Sequence, residues 1–114
     1  MADDIRAHAN YIPHSPQKVR LVIDLVRGKD ITEALVMLKF VQNKAALPVS
    51  KVLASAMANA EENFGVSRDD LFIYKIHADA APSRRWRRFG ARGRFKPIIR
   101  RASHIAVILR EREN

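Results

Sequence analysis

LFIYKIHADAAPSRRWRRFGARGRFKPIIRRASHIAVILR, residues 71 to 110, holds the pattern that decides the fold. Leu71 to Ala81 is rich in β-formers and has a period of two. Phe72, Tyr74, Ile76 and Ala78 fall on one side, and Ile73, Lys75, His77 and Asp79 on the other. Ala102 to Arg110 repeats the pattern, with Ile105, Val107 and Leu109 opposed to Ala106 and Ile108. Two strands joined by a connector whose middle is Gly90 to Gly93 (GARG) predict a protruding hairpin, because glycine tolerates the positive φ of a tight tip. With about eight extended residues per side at ~3.3 Å each, the arm reaches ~25 Å beyond the body.

The same connector holds the whole net charge of +9. Ser83 to Arg101 contains eight arginines and Lys96 and no acid, so the other twelve Lys and Arg balance the twelve Asp and Glu of the chain. Charges this dense repel one another unless a polyanion neutralises them, and the natural polyanion is a nucleic acid. Trp86, Phe89 and Phe95 are interleaved with the arginines. They offer planes for unpaired bases, or they pack on each other across the ribbon.

Outward from the arm, the rest reads as a compact body. Ala7 to Ile12 is a short strand ended by Pro13. Ser15 and Pro16 mark a helix start, Val19, Val22, Ile23 and Val26 form its apolar stripe with Leu21 and Leu25 widening it, and Gly28 closes it. Asp30 and Glu33 have capping-box spacing ahead of a short helix with Ala34, Leu35 and Leu38 inward. Asn43 to Asn63 predicts a third helix, delayed by Pro48 to about Leu47, with Val49, Val52, Leu53, Ala56, Met57, Ala60 and Phe64 as its stripe and Gly65 as its stop. The fold class is α+β: a three-stranded antiparallel sheet packed against three helices, in one domain over residues 1–114, with a long basic hairpin at about 82–97.

Several functions lose support. No apolar run approaches the ~20 residues that cross a bilayer, and MADDIRAHAN lacks the basic and apolar regions of a signal peptide, so a cytoplasmic location is expected. With no cysteine there is no disulfide or thiolate zinc site. His77 and Asp79 share a strand face without a third ligand, while Ser103 and His104, adjacent in a strand, point to opposite faces. No catalytic residue, metal or cofactor is expected. His104 reads as a satisfied sheet residue or an RNA contact. His14, Ser15, Gln17, Lys18 and Arg20 form a second polar cluster at the first helix's start, where free amides favour phosphate, although an ordinary capped surface helix has the same composition. Lys18 stands out because it lies within the apolar arc and must extend its ammonium past the core edge.

Three segments then carry a resemblance. SPQKVRLVIDLVRGK (Ser15 to Lys29), KVLASAMANAEEN (Lys51 to Asn63) and RRASHIAVIL (Arg100 to Leu109) resemble, in order, the family of the twenty-second protein of the large ribosomal subunit. The resemblance implies a structural, non-enzymatic protein on the outer surface of that subunit, in a cytoplasmic or organellar ribosome. Its body and arm would touch several ribosomal RNA domains and aid assembly. The arm would follow the RNA inward and line the nascent-chain exit tunnel, its tip near the constriction and the macrolide pocket. Implied partners are large-subunit ribosomal RNA, neighbouring ribosomal proteins and the nascent polypeptide, with neither a membrane nor a homo-oligomer. RNA-contacting positions carried over are Ser15, Lys18 and Arg20 at the helix; in the arm, the charge density and interleaved aromatics nominate Arg84, Arg85, Trp86, Arg87, Arg88, Phe89, Arg92, Arg94, Lys96, Arg100 and Arg101. The chain departs from the family pattern at Gln17, at Ala81 before Pro82, and at Phe89-Gly90.

Two rivals from other classes remain. An architectural DNA-binding protein would insert the arm into a groove with Phe89 as wedge, and would call for a dimer. No helix carries a dimerisation seam. A membrane-active cationic hairpin would segregate its arginines from an apolar face, and these do not segregate.

Overall fold

A computed structural model describes residues 4–82, 84–89 and 95–112, the strands at 84–89 and 95–100 by their backbone alone. In order it has β1 (Ile5–Ile12), α1 (Pro16–Val26), α2 (Ile31–Leu38), α3 (Ala46–Asn63), a 3-10 turn at Arg68–Asp70, β2 (Leu71–Ala80), β3 (Arg84–Phe89), β4 (Phe95–Arg100) and β5 (Ser103–Glu111). β5 lies at the centre of a three-stranded antiparallel sheet in the order β1-β5-β2, and β3 and β4 pair only with each other. The expected α+β architecture with its basic hairpin is the one observed. The tip, residues 90–94, lies outside the described residues. A radius of gyration of 17.2 Å and extents of 67 × 26 × 18 Å describe an elongated molecule. A compact chain of this length would have a radius near ~13 Å.

One face of the sheet carries the core. Ser103, Ile105, Val107 and Leu109 of β5 are buried, as are Ile5 of β1, and α3 crosses β1 and β5 while α1 lies along β2. From α3 come Val49, Val52, Leu53, Ala56 and Ala60, all buried, and the small alanines let the helix approach closely. Pro48 occupies the first turn, where its missing N–H leaves no bond unmade. Gly28 (φ 80°) and Gly65 (φ 64°) take the left-handed conformation that ends α1 and α3.

Five expectations are corrected. In β2 the buried residues are Leu71, Ile73, Ile76 and Ala78, because a bulge at Tyr74 shifts the register between Ile73, opposite Leu109, and Lys75, opposite Ile108. The extra residue flips the alternation, so Phe72 and Tyr74 do not share the inner face with Ile76. The Asp30–Glu33 capping box does not form. Asp30 caps α2 without a side-chain bond and instead accepts from Arg112 Nε, while Glu33 lies 4.0 Å from Lys29. Ser15 likewise stands at the α1 N-cap with no side-chain cap bond, leaving its carbonyl to accept from Val19 at 3.1 Å. Leu21 and Leu25 are 62% and 45% exposed, since α1 buries only the narrow stripe of Val19, Val22, Ile23 and Val26. Phe64 is also exposed, at the frayed end of the α3 stripe.

Near the N-terminus, Arg110 Nε donates to Asp4 Oδ1 at 2.6 Å, and the Arg110 guanidinium covers the Tyr74 ring at 3.5 Å. That hydrogen bond, aided by the charges of Arg110, Arg6 and Lys75 against partial desolvation, holds the Asp4 carboxyl below its ordinary 3.8. A lowered folded value stabilises the protein above the unfolded value and loses that contribution as pH falls through the folded one. The Tm difference between wild type and Asp4→Asn is therefore expected to be present at neutral pH and to shrink below about pH 4. A thermal scan series showing the same difference at every pH would rule out this linkage.

Candidate nucleic-acid interface

The edge of β2 away from β5 leads into the arm, and α1 secures it. Positions 20 and 27 lie on one flank of α1, at about 100° per residue. Arg20 Nε and Nη2 donate to the Ala78 carbonyl at 3.0 and 2.8 Å, and Arg27 Nη2 donates to the Ile76 carbonyl at 3.1 Å. These bonds occupy edge carbonyls that would otherwise invite another strand. Arg20, expected at an RNA contact, thus has a structural duty and keeps three of its five N–H donors. The ladder continues to the arm through the Ala81 amide, which donates to the Ala102 carbonyl at 2.9 Å. Ala81 is buried and needs no glycine-like backbone there.

α1 begins beside this root. The buried Ser103 hydroxyl donates to the His14 carbonyl at 2.6 Å, which ties the turn before Ser15 to the first residue of β5. Ser15 is half-buried, while Lys18 is exposed on the flank it shares with Leu21 and Leu25. The structure therefore brings the two sequence-derived clusters, the start of α1 and the base of the hairpin, to one end of the sheet.

In the arm, the backbone register sets Arg84 opposite Arg100, Arg85 opposite Ile99, Trp86 opposite Ile98, Arg87 opposite Pro97, Arg88 opposite Lys96 and Phe89 opposite Phe95. Like charges thus face each other at two of six positions. Directly opposed like charges destabilise a ribbon, and a lone hairpin is marginal even without them. Arg92 and Arg94 lie outside the described residues. Arg101 is exposed where the arm rejoins the body.

Half of the body's twelve cations meet carboxylates at home. Arg6 and Arg110 meet Asp4, Arg27 meets Asp24, Lys29 meets Glu33, Arg68 meets Glu61 and Arg112 meets Asp30, all within 4.0 Å. Among the described residues, Lys18, Arg20, Lys39, Lys44, Lys51, Lys75 and Arg101 make no such ion pair. His77 Nε2 lies 3.7 Å from Asp79 Oδ2 on the outer sheet face, and no group of three potential metal ligands occurs among the described residues.

Sequence comparison fits this geometry. The family model described as Ribosomal protein L22p/L17e matches residues 7–110. The chain belongs to that family. It is a family of structural rather than enzymatic proteins, in keeping with the sequence reading. A relative named Large ribosomal subunit protein uL22 from Finegoldia magna is 47% identical over 109 residues, covering 95% of this chain and 96% of the relative. Proteins of the same name from a Thermoanaerobacter species and from Clostridium novyi are 44% and 43% identical, each covering 96% of this chain and 99% and 98% of the relatives. The match spans body and arm together.

One residue at this end of the sheet escapes sequence patterning. Tyr11 has a φ of 56°, the one positive value at a non-glycine position among the described residues, and it is 59% exposed. It sits where the β1–β5 register shifts between Ala9 and Ile12. A left-handed residue with a side chain costs about 1–2 kcal/mol. Its amide donates to His104 Nδ1 at 3.1 Å, and the two rings are perpendicular with centroids 4.8 Å apart. Only an unusual backbone angle marks it, and no periodicity reports that.

Proposed function

We propose that this chain, by its family a structural constituent of the large ribosomal subunit, binds large-subunit ribosomal RNA through its hairpin arm and the adjoining start of α1. The supporting observation is the segregation of charge: the arm holds nine cations and no acid, while the body balances its twelve cations with twelve acids and pairs six of those cations with carboxylates. Arg84, Arg85, Arg87, Arg88, Arg92, Arg94, Lys96, Arg100 and Arg101 neutralise phosphates. Trp86 and Phe89 offer stacking planes near the tip, and Ser15, Lys18 and the remaining donors of Arg20 meet RNA at the root.

In this reading the protein is one domain with an extended arm. RNA supplies the charge that lets the opposed arginines of the ribbon stay together, so binding shapes the arm and the arm in turn holds RNA segments in place during assembly. An arm of about 20–25 Å is long enough to pass from a surface-docked body into the subunit and line the exit tunnel, beside the nascent polypeptide. Neighbouring ribosomal proteins would meet the body, which acts as a monomer in the ribosome.

Gradient sedimentation of the tagged protein tests the assignment. Co-migration with the large subunit, lost after RNase treatment, is expected. Sedimentation as a free dimer bound to DNA would overturn it in favour of the architectural reading.

A further inference from the structure

We propose that Tyr11 and His104 form a stacking site for an unpaired RNA base at the root of the arm. The site rests on the RNA-binding reading above but works without the arm's charges.

The perpendicular pair fixes both ring planes while leaving more than half of Tyr11 in solvent. An aromatic ring held in place and open to water is the element that single-stranded RNA uses for sequence-tolerant stacking. Its backbone is held in the left-handed region by a hydrogen bond to a side chain 93 residues away, at a register break of β1. Strain of this kind persists where surrounding structure enforces it, and it concentrates at functional positions. Here it displays a ring on the outer sheet face instead of continuing the strand's alternation.

His104 adds a polar group. Because Nδ1 accepts from the Tyr11 amide, the neutral imidazole carries its proton on Nε2, leaving an N–H donor for a base or phosphate oxygen. The surroundings suit a nucleotide. Arg101 is exposed three residues away, and the start of α1 with Lys18 adjoins through the Ser103 to His14 bond. Asp79 is the cross-strand partner of His104 and is the acid nearest in register, but it lies 3.7 Å from His77. The exposed Leu21, Val36 and Leu47 lie on the helices and Phe40 in the turn after α2, while the exposed Tyr74 of β2 stands at the far end of β5 with the Arg110 guanidinium over its ring. Tyr11 on its sheet face therefore lacks the broad apolar surround of a protein-docking patch.

Filter binding of the full chain to large-subunit ribosomal RNA tests the site, with Tyr11→Gly, Tyr11→Phe and wild type measured across a salt series. Glycine accepts the backbone angle and removes the ring, and phenylalanine keeps the ring. Tyr11→Gly is expected to bind about five- to fifty-fold more weakly than Tyr11→Phe. Stacking displaces no counterions, so the salt slope of all three should coincide. The Tm of Tyr11→Gly should not fall. Equal affinity of the two variants overturns the site, as does a Tyr11→Gly protein that loses affinity and Tm together. A wild-type slope near −1 would sink the arm reading alone, because the ratio of the two variants does not depend on it. Irradiation of assembled large subunits at short wavelength adds a second readout. A nucleotide adduct on the peptide containing Tyr11 supports the site, and a protein adduct there overturns it.

Discussion

Simultaneous replacement of Arg84, Arg85, Arg87 and Arg88 by alanine is expected to flatten the salt dependence of RNA binding by about three to four units of slope. Each arm cation that neutralises a phosphate releases a condensed counterion, so six to nine contacts give the wild type a slope on the order of −5 to −8. At physiological salt the release favours binding by about 1 kcal/mol per contact, so four lost contacts weaken binding about a thousandfold. The same variant should hinder incorporation into large subunits. Its fold should survive, because β3 pairs only with β4 and the core is closed by β1, β2, β5 and the helices. Removal of Arg84 and Arg88 also relieves their opposition to Arg100 and Lys96. Filter binding over a salt series, with thermal scans beside it, reads both parts. An unchanged slope would show that the arm does not carry the phosphate contacts.

That prediction was open to sequence alone because charge segregation needs no coordinates. Nine cations without an acid between two alternating strands specify an arm, and the paired β3 and β4 are that arm. Helix ends were equally readable where local chemistry decides them, at Ser15-Pro16, Gly28 and Gly65. Other features depend on distant residues. The spacing of Asp30 and Glu33 matches a capping box, yet Arg112, 82 residues on, takes the Asp30 carboxylate. One extra residue at Tyr74 reverses the inner face of β2 without disturbing the apolar run that suggests it. Arg20 looks like any surface arginine until the Ala78 carbonyl is placed beside it. The charge pattern and hairpin of the candidate site were therefore legible and the division of labour at its root was not, since that depends on which edge α1 covers.

Leu53→Ala should destabilise the body by about 3 kcal/mol, within the 2–5 kcal/mol typical of such truncations. Leu53 is fully buried on α3, which crosses β1 and β5, so its loss leaves a cavity between helix and sheet that neither element can close alone. The total for a domain of this size is about 6–17 kcal/mol, and the expected Tm fall is on the order of 10–15 °C. Leu47, on the same helix but 63% exposed, provides the control. Leu47→Ala should change stability by no more than about 0.5 kcal/mol. Equal effects of the two substitutions, in thermal or urea unfolding, would contradict the placement of α3 on the sheet. On the proposed function RNA binds the folded chain and not the unfolded one, so added ribosomal RNA should restore much of the Tm lost by Leu53→Ala. It should restore far less when the four arm arginines are also absent, since in that proposal the arm supplies the binding energy on which the rescue depends.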